Sequence, residues 1–451
     1  MNKYILFFSC LFFSTSLSAQ ELGLHFMQDN WYARNTNPAF PSSNNLVVGL
    51  PGVYNNLLIT NLVYNDLVVE RDGMRVLDID KGINQLEATN KIRENLTFET
   101  VQVGFKLNKL LLSVGHAVRF NSYLDYPKTL AQLIWQGNAQ FVGQDVDFST
   151  DTQLFGYNEF SLGLTVPVTP NFHIGGRVKY LAGFGDISTE QNSLSLYTDD
   201  DIYELRLKAD LTVNSVGNIS YNGFNDLQVD YNFGQFDGSD LFTDNSGYAF
   251  DLGAHLKLGR LNLAASILDV GQINWKGSVK NFHLKGDYEF EGLDLVDEIL
   301  EDASSLGSII DTLIESYAVE ETNLAYTTKL AYKTYVSANY QFTEKLSAGL
   351  LFYGEQYRDE FYPAFALGTN AHLTDWLTAG ASYAVRNETY DNVGLNLHFH
   401  LGPAHLIAAT DNLLTAFRIK DSNSANIRLG LYFAFGESNP VKSKDNPDTW
   451  F

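Results

Sequence analysis

His398 and His400 stand two positions apart in an alternating stretch, and His405 follows across a short turn. Residues two apart on a strand share a face, so the pair could offer two imidazole nitrogens to a metal. A zinc-class site needs three or four ligands with partners orienting them, and neither a third strong ligand nor such a shell is legible. The histidines are therefore expected to line a polar surface, and no metal site is assigned. Asp199-Asp200-Asp201 lacks the ordered spacing and central glycine of a calcium loop and reads as an acidic, solvated loop tip. Ser, His and Asp are all present, but there is no Gly-x-Ser-x-Gly elbow, phosphate-binding loop or dinucleotide fingerprint. The chain is read as a non-enzyme with no catalytic residues and no cofactor.

The elements that would position these side chains follow from composition. The chain has 451 residues, with 53 acidic against 30 basic, a net charge of −23 and 14% aromatics. Charged residues make up only 18%, below the roughly 25% of a typical soluble domain. So acidic a surface disfavours nucleic acid, whose phosphates need cations. Many aromatics with few charges suit a chain whose apolar surface meets lipid. The single cysteine, Cys10, leaves no disulfide framework.

Residues 1–19 have the layout of an export signal: Lys3, an apolar core from Tyr4 to Phe13, then small residues up to Ala19. No later run reaches the roughly 20 apolar residues of a membrane helix. The two remaining fates are a soluble exported protein and a closed barrel of strands, the other backbone that satisfies itself in lipid.

Period-two alternation recurs from Val101 onward. Ile427, Leu429, Leu431, Phe433 and Phe435 alternate with Arg428, Gly430, Tyr432 and Ala434, and Val393 to Leu401 alternates with Gly394, Asn396, His398 and His400. Segments of nine to eleven residues suit a tilted membrane crossing better than soluble strands of about five to six. Aromatics near segment ends (Phe120, Tyr123, Tyr126; Phe352, Tyr353, Tyr357; Phe361, Tyr362; Trp376) are expected to form interfacial girdles. The expected fold is an all-β transmembrane antiparallel barrel of about 14 strands, with Arg386, Asn396, His398, His400 and Arg428 facing the lumen. A soluble sandwich would show the same alternation with the apolar faces hidden. Tight connections at Asn108-Lys109, Thr169-Pro170-Asn171, Gly259-Arg260, Thr343-Glu344 and Thr374-Asp375 are expected on the periplasmic side. Long external loops are expected over Tyr123 to Gln153, Asp186 to Asp201 and Tyr231 to Ser246.

Residues 20–51 precede the first convincing strand. The prolines of Asn37-Pro38-Ala39-Phe40-Pro41 forbid a central strand, so this segment is expected to be either a small hatch folded into the lumen or a periplasmic lead-in. The barrel is then expected over 52–436, with one helical insertion at 293–317, where apolar residues recur at three- and four-residue steps. A polar tail is expected over 437–451.

The C-terminal half resembles a large Bacteroidota-type family of outer-membrane barrels of unknown function. The resemblance rests on Leu351-Phe352-Tyr353-Gly354-Glu355, Trp376 to Arg386, Asn392 to Leu397, Leu401-Gly402-Pro403, Thr410-Asp411-Asn412-Leu413-Leu414 and Asn426 to Leu431. Separately, Asn37-Pro38-Ala39 is similar to the Asn-Pro-Ala of fatty-acid-transporter (FadL)-type barrels, which have fourteen strands and an N-terminal hatch. That fold group includes a barrel serving type IX secretion. The resemblance implies the cell outer membrane, with lipid, lipopolysaccharide and the barrel-assembly machinery as partners, the last recognising a final strand that ends in an aromatic such as Phe435. It also implies a passive channel for a hydrophobic or amphipathic small molecule, or else a non-transporting scaffold for secretion or surface assembly.

Overall fold

The computed structural model describes residues 22–201, 204–217, 219–221, 227–229, 243–290, 319–386 and 389–437. The expected helical insertion, most of the loop from Tyr231 and nearly all of the tail lie outside them. Fourteen strands form one antiparallel wall. The first, β1, comes in two pieces, Asn44–Gly49 and Gly52–Ile59. There follow β2 (Thr89–Leu107), β3 (Leu110–Pro127), β4 (Asp151–Thr169), β5 (Phe172–Thr198), β6 (Ser246–Leu258) and β7 (Leu261–Trp275). The second half is β8 (Tyr332–Thr343), β9 (Leu346–Tyr357), β10 (Glu360–Thr374), β11 (Leu377–Arg386), β12 (Thr389–Leu401), β13 (Ala404–Thr410) and β14 (Ser424–Glu437).

Both pieces of β1 pair with β14, Val48 opposite Phe433 and Val53 opposite Leu429, and on their other side with β2. The sheet therefore closes on itself and leaves no edge. Strand pairing begins at Asn44, eight residues before the expected boundary at 52. Pro51, which cannot donate to the ladder, falls at the break between the two pieces rather than ahead of the barrel.

Along each strand the apolar face points outward. Leu162 (59% exposed), Leu252 (62%), Phe365 (62%) and Leu350 (59%) alternate with buried, mostly polar or small side chains. This excludes the sandwich, which would hide those groups, and it is the arrangement that hydrocarbon solvates. Among the described residues no helix is long and apolar enough to cross a membrane. At the short-turn end, Trp376 and Phe399 stack with centroids 6.2 Å apart, and Tyr340 meets Phe342 edge-on at 5.0 Å, forming part of an aromatic rim. Tyr123, Tyr353 and Tyr357, expected in such a girdle, are instead buried inside the barrel.

The tight connections fall within a residue of their expected places, with Asn108 and Gly259 at positive φ, and Gly402 adopts positive φ in a further short turn between β12 and β13. At the opposite end the strands run on. β2 and β4 have 19 residues and β5 has 27, well beyond the roughly 9–11 needed to cross a bilayer. Residues 186–198, expected as a loop, are the end of β5. They pair with Leu205–Val216, which pairs in turn with Val279–Phe290, so a small sheet projects above the barrel mouth. The Tyr123-to-Gln153 connection folds as the helix Lys128–Gln136, a 3-10 turn and a short strand.

Candidate functional site: a plugged, layered lumen

Residues 22–43 fold inside the short-turn half of the barrel. They form a short helix α1 (Leu22–Phe26) and a 3-10 turn (Trp31–Asn35), and nearly every side chain from Leu22 to Phe40 is buried. No hydrophobic core of its own holds so short a segment, so the wall must. The backbone N–H groups of Leu22 and Gly23 donate to the Asp411 carboxylate at 3.1 and 2.9 Å. Asn339 and Asn370 donate to the Phe26 carbonyl at 3.3 and 2.8 Å. The Asn37 amide donates to the carbonyls of Ala254 (3.1 Å) and Ala265 (3.2 Å), on neighbouring strands, and accepts from Ala39 N–H at 2.8 Å. Thr165 donates to the Pro38 carbonyl at 2.7 Å, and Arg34 donates to the carbonyl of Phe40, which is fully buried. All four hatch candidates, Asn37, Pro38, Ala39 and Phe40, thus sit in the lumen at or beside bonds to the wall.

The wall is shaped to receive them. A Cβ added to Gly175 would run into the Pro38 backbone, and one on Gly104 into the Trp31 ring. Glycine is needed at both places because another chain approaches the strand closely.

His25 is wholly buried in this plug. Its Nδ1 lies 2.8 Å from the Thr36 hydroxyl, its Nε2 lies 2.8 Å from that of Ser337, and its ring stacks on Tyr335. Burial, with His255 close by, lowers its pKa to about 3. Burial and the neighbouring Arg177 likewise lower Arg34 to about 9.

Above the plug lies a belt of charge. Arg119 (β3), Glu159 (β4), Arg177 and Lys179 (β5), Asp251 (β6), Asp269 (β7) and Lys333 (β8) link six consecutive strands. Arg119–Glu159 measures 2.8 Å, Lys179–Asp251 2.9 Å, Arg177–Asp251 3.2 Å and Lys333–Asp269 3.5 Å, and Lys179 also contacts Asp269. Pairing is what makes ions tolerable at such depth. Glu355 stands opposite Lys333 on β9, so four cations meet four carboxylates and the belt is a paired array of buried charge inside an acidic protein. Two small cavities flank the plug and belt, about 30 Å³ beside Trp31, Glu99, His116 and Arg119 and about 20 Å³ beside Lys333, Tyr353 and Glu355. A water needs roughly 10–15 Å³, so the first has room for about two or three waters, the second for about one or two, and neither for a solute.

Higher still the interior turns aromatic. Tyr123 and Tyr357 stack at 3.9 Å and 9°, and Phe155, Tyr157, Ile273 and Trp275 complete a buried apolar cluster facing the mouth.

The five lumen candidates are dispersed through these layers. Arg428 is buried, donates to both oxygens of Glu99 (2.7 and 2.6 Å) and covers the Tyr32 ring. Asn396 is buried on the wall where a Cβ on Gly23 of α1 would strike it. Arg386 is half-buried on the lumen side at the upper end of β11. His398 and His400 face inward near the short-turn end, and His405 joins them. The charged belt and the roles of His25 and Asp411 were missed. A usable signal existed for part of the belt, because Arg177 and Lys179 occupy the small-residue parity of an otherwise apolar strand.

A family model matches residues 38–411, which include most of the wall and the end of the plug. The chain belongs to the family of unknown function DUF5723. None of the curated proteins matches it. Among solved structures, the Pseudomonas putida toluene transporter TodX is similar over 93% of this chain and 99% of its own, at 11% identity and a TM-score of 0.43. A mutant of the TodX monoaromatic hydrocarbon channel gives 12% identity and a TM-score of 0.45, over 90% of this chain and 94% of its own. A Pseudomonas aeruginosa FadL homologue gives 11% and 0.42, over 93% and 98%.

Proposed function

We propose that this DUF5723 protein is an outer-membrane barrel that passes a hydrophobic or amphipathic small molecule passively, with residues 22–43 as its hatch. The observation that carries the reading is the layering of the lumen: an aromatic cluster at the mouth, a belt of paired charges beneath it, and below both a plug held by noncovalent contacts. An apolar body would be solvated by the Tyr123, Tyr357 and Trp275 layer and a polar head by Arg119, Arg177 and Lys333. Onward passage requires the hatch to shift, because among the described residues the two cavities that flank it have room only for waters. Hydrogen bonds to a wall can be exchanged for bonds to water at modest net cost, which suits a plug that moves.

The test is a locked hatch. A Cβ on Gly253 would touch the Asn37 amide, so Asn37→Cys with Gly253→Cys joins hatch to wall in a chain whose other cysteine, Cys10, lies in the expected signal. Liposomes carrying the oxidised double variant should take up an anionic amphipathic dye at least tenfold more slowly than after reduction. Equal rates in the two states would end the transport reading.

A second reading, a non-transporting scaffold for secretion or surface assembly, draws on the sheet that projects above the mouth. It expects a stoichiometric partner to co-purify from outer membranes and to be lost when Leu205–Val216 is deleted.

A further inference from the structure

We propose that His398, His400 and His405 form a binding site for a divalent transition metal of the zinc class at the short-turn end of the lumen. The register of one hairpin makes the cluster: His400 and His405 are directly opposed across β12 and β13, and His398 lies two residues further along the same face. Each ring has one nitrogen within 4.8 Å of the corresponding nitrogen on the other two. His398 Nε2 lies 3.1 Å from His405 Nδ1. Two nitrogens bound tetrahedrally to one zinc at 2.0–2.1 Å stand roughly 3.4 Å apart, so this pair already holds the separation a shared ion imposes. His400 completes the set with its ring nitrogen inside the same 4.8 Å.

Three features separate this cluster from an ordinary polar lining. Imidazoles are brought together with no carboxylate bridging them among the described residues, and His398 and His405 meet ring nitrogen to ring nitrogen. The Tyr432 ring stacks on His405 at 4.5 Å and 6° and the Thr378 hydroxyl lies 3.3 Å from His400 Nε2, contacts that hold those two rings in place, while the Tyr432 hydroxyl, 3.0 Å from His398 Nε2, turns away when that nitrogen takes the ion. His400 and His405 are only half-buried and lie within two residues of the Gly402-Pro403 turn, which gives an ion a short entry route. Neutral imidazole suits zinc, copper, nickel and cobalt and does not suit magnesium or calcium. On binding, the proton shared between His398 and His405 moves to the ring nitrogen remote from the ion. Three protein ligands leave the fourth position to water or an incoming group.

The experiment uses untagged full barrel in detergent, stripped with chelator, with Zn²⁺ as the calorimetric probe and Co²⁺ as the spectroscopic one. The expected result is one equivalent of Zn²⁺ per chain, and with Co²⁺ a visible band of tetrahedral intensity. His405→Ala and His398→Gln should each weaken Zn²⁺ binding at least tenfold, while His372→Ala, which removes a neighbouring ring outside the triad, should not. Heat-shifted gel mobility confirms that each variant is a folded barrel, and His400→Gln substitutes for any that is not. Absence of saturable binding at 100 micromolar Zn²⁺, or binding unchanged in the triad variants, would overturn the proposal.

Discussion

Asp411, at the end of the wall's penultimate hairpin, accepts hydrogen bonds from the backbone N–H of Leu22, the first described residue of the plug, and from its neighbour Gly23. One carboxylate of the wall therefore holds the start of α1 inside the lumen. Charge-assisted bonds to a buried carboxylate contribute about 1.5–3 kcal/mol each. Asp411→Ala should loosen α1 without opening the barrel. The expected result is hydrogen exchange at least tenfold faster at residues 22–26, with exchange in β11 and β12 unchanged.

The seating of the plug against Gly175 gives a steric test. Gly175→Val places a side chain where the Pro38 backbone lies, while the strand itself accepts valine readily. The variant should fold as a barrel by heat-shifted mobility yet expose the segment around Arg34 to trypsin. Protection equal to wild type would show that the plug does not sit against β5.

The Glu99–Arg428 pair is buried on both sides. Glu99→Gln leaves a guanidinium without its carboxylate and should cost about 3–5 kcal/mol in urea unfolding from liposomes. Adding Arg428→Met should restore a large part of that loss, because the uncompensated charge is then gone.

Orientation of the wall is tested by paired arginine scanning. Leu162→Arg places a charge on the outward apolar face and should destabilise the barrel in bilayers by about 2–4 kcal/mol if it lies near the midplane. Ser161→Arg, on the lumen side beside the small cavity, should cost less. The reverse order would turn the barrel inside out.

Acidification should release the plug. Docked, His25 protonates only near pH 3, whereas an undocked histidine does so near 6.5. Above 6.5 both forms are neutral and docking is at full strength. As pH falls from 6.5 towards 3 only the undocked form takes up a proton, so docking weakens by up to about tenfold per unit. Exchange rates in residues 22–26 should rise across that window in wild type and stay flatter in His25→Gln.

Much of the wall was legible because side-chain alternation is a local property of an extended backbone. Ile427 to Phe435 and Val393 to Leu401 declare one greasy and one small or polar face whatever their neighbours are, and Asn108-Lys109 and Gly259-Arg260 declare turns through their tolerance of positive φ. Which way a face points is not local. It required closure of β14 on β1, and that closure also sent Tyr123, Tyr353 and Tyr357 inward where proximity to strand ends had suggested an outer girdle. The start of the wall at Asn44 was hidden because Pro51 reads as a stop, and only pairing on both sides shows a strand running through the break.

His398 and His400 share a face by spacing alone, but His405 becomes a third neighbour only through the hairpin register. Likewise Asp251 and Lys179 are 72 positions apart, and nothing along the chain brings them together. The sequence by itself determined strand, turn and the two chemically distinct faces, because these depend on residues within a few positions of one another. Tertiary structure alone decided the plug's contacts and the charged belt, because both need side chains from strands whose stagger is set by the whole closed sheet, whereas the histidine cluster needed only the register of one hairpin.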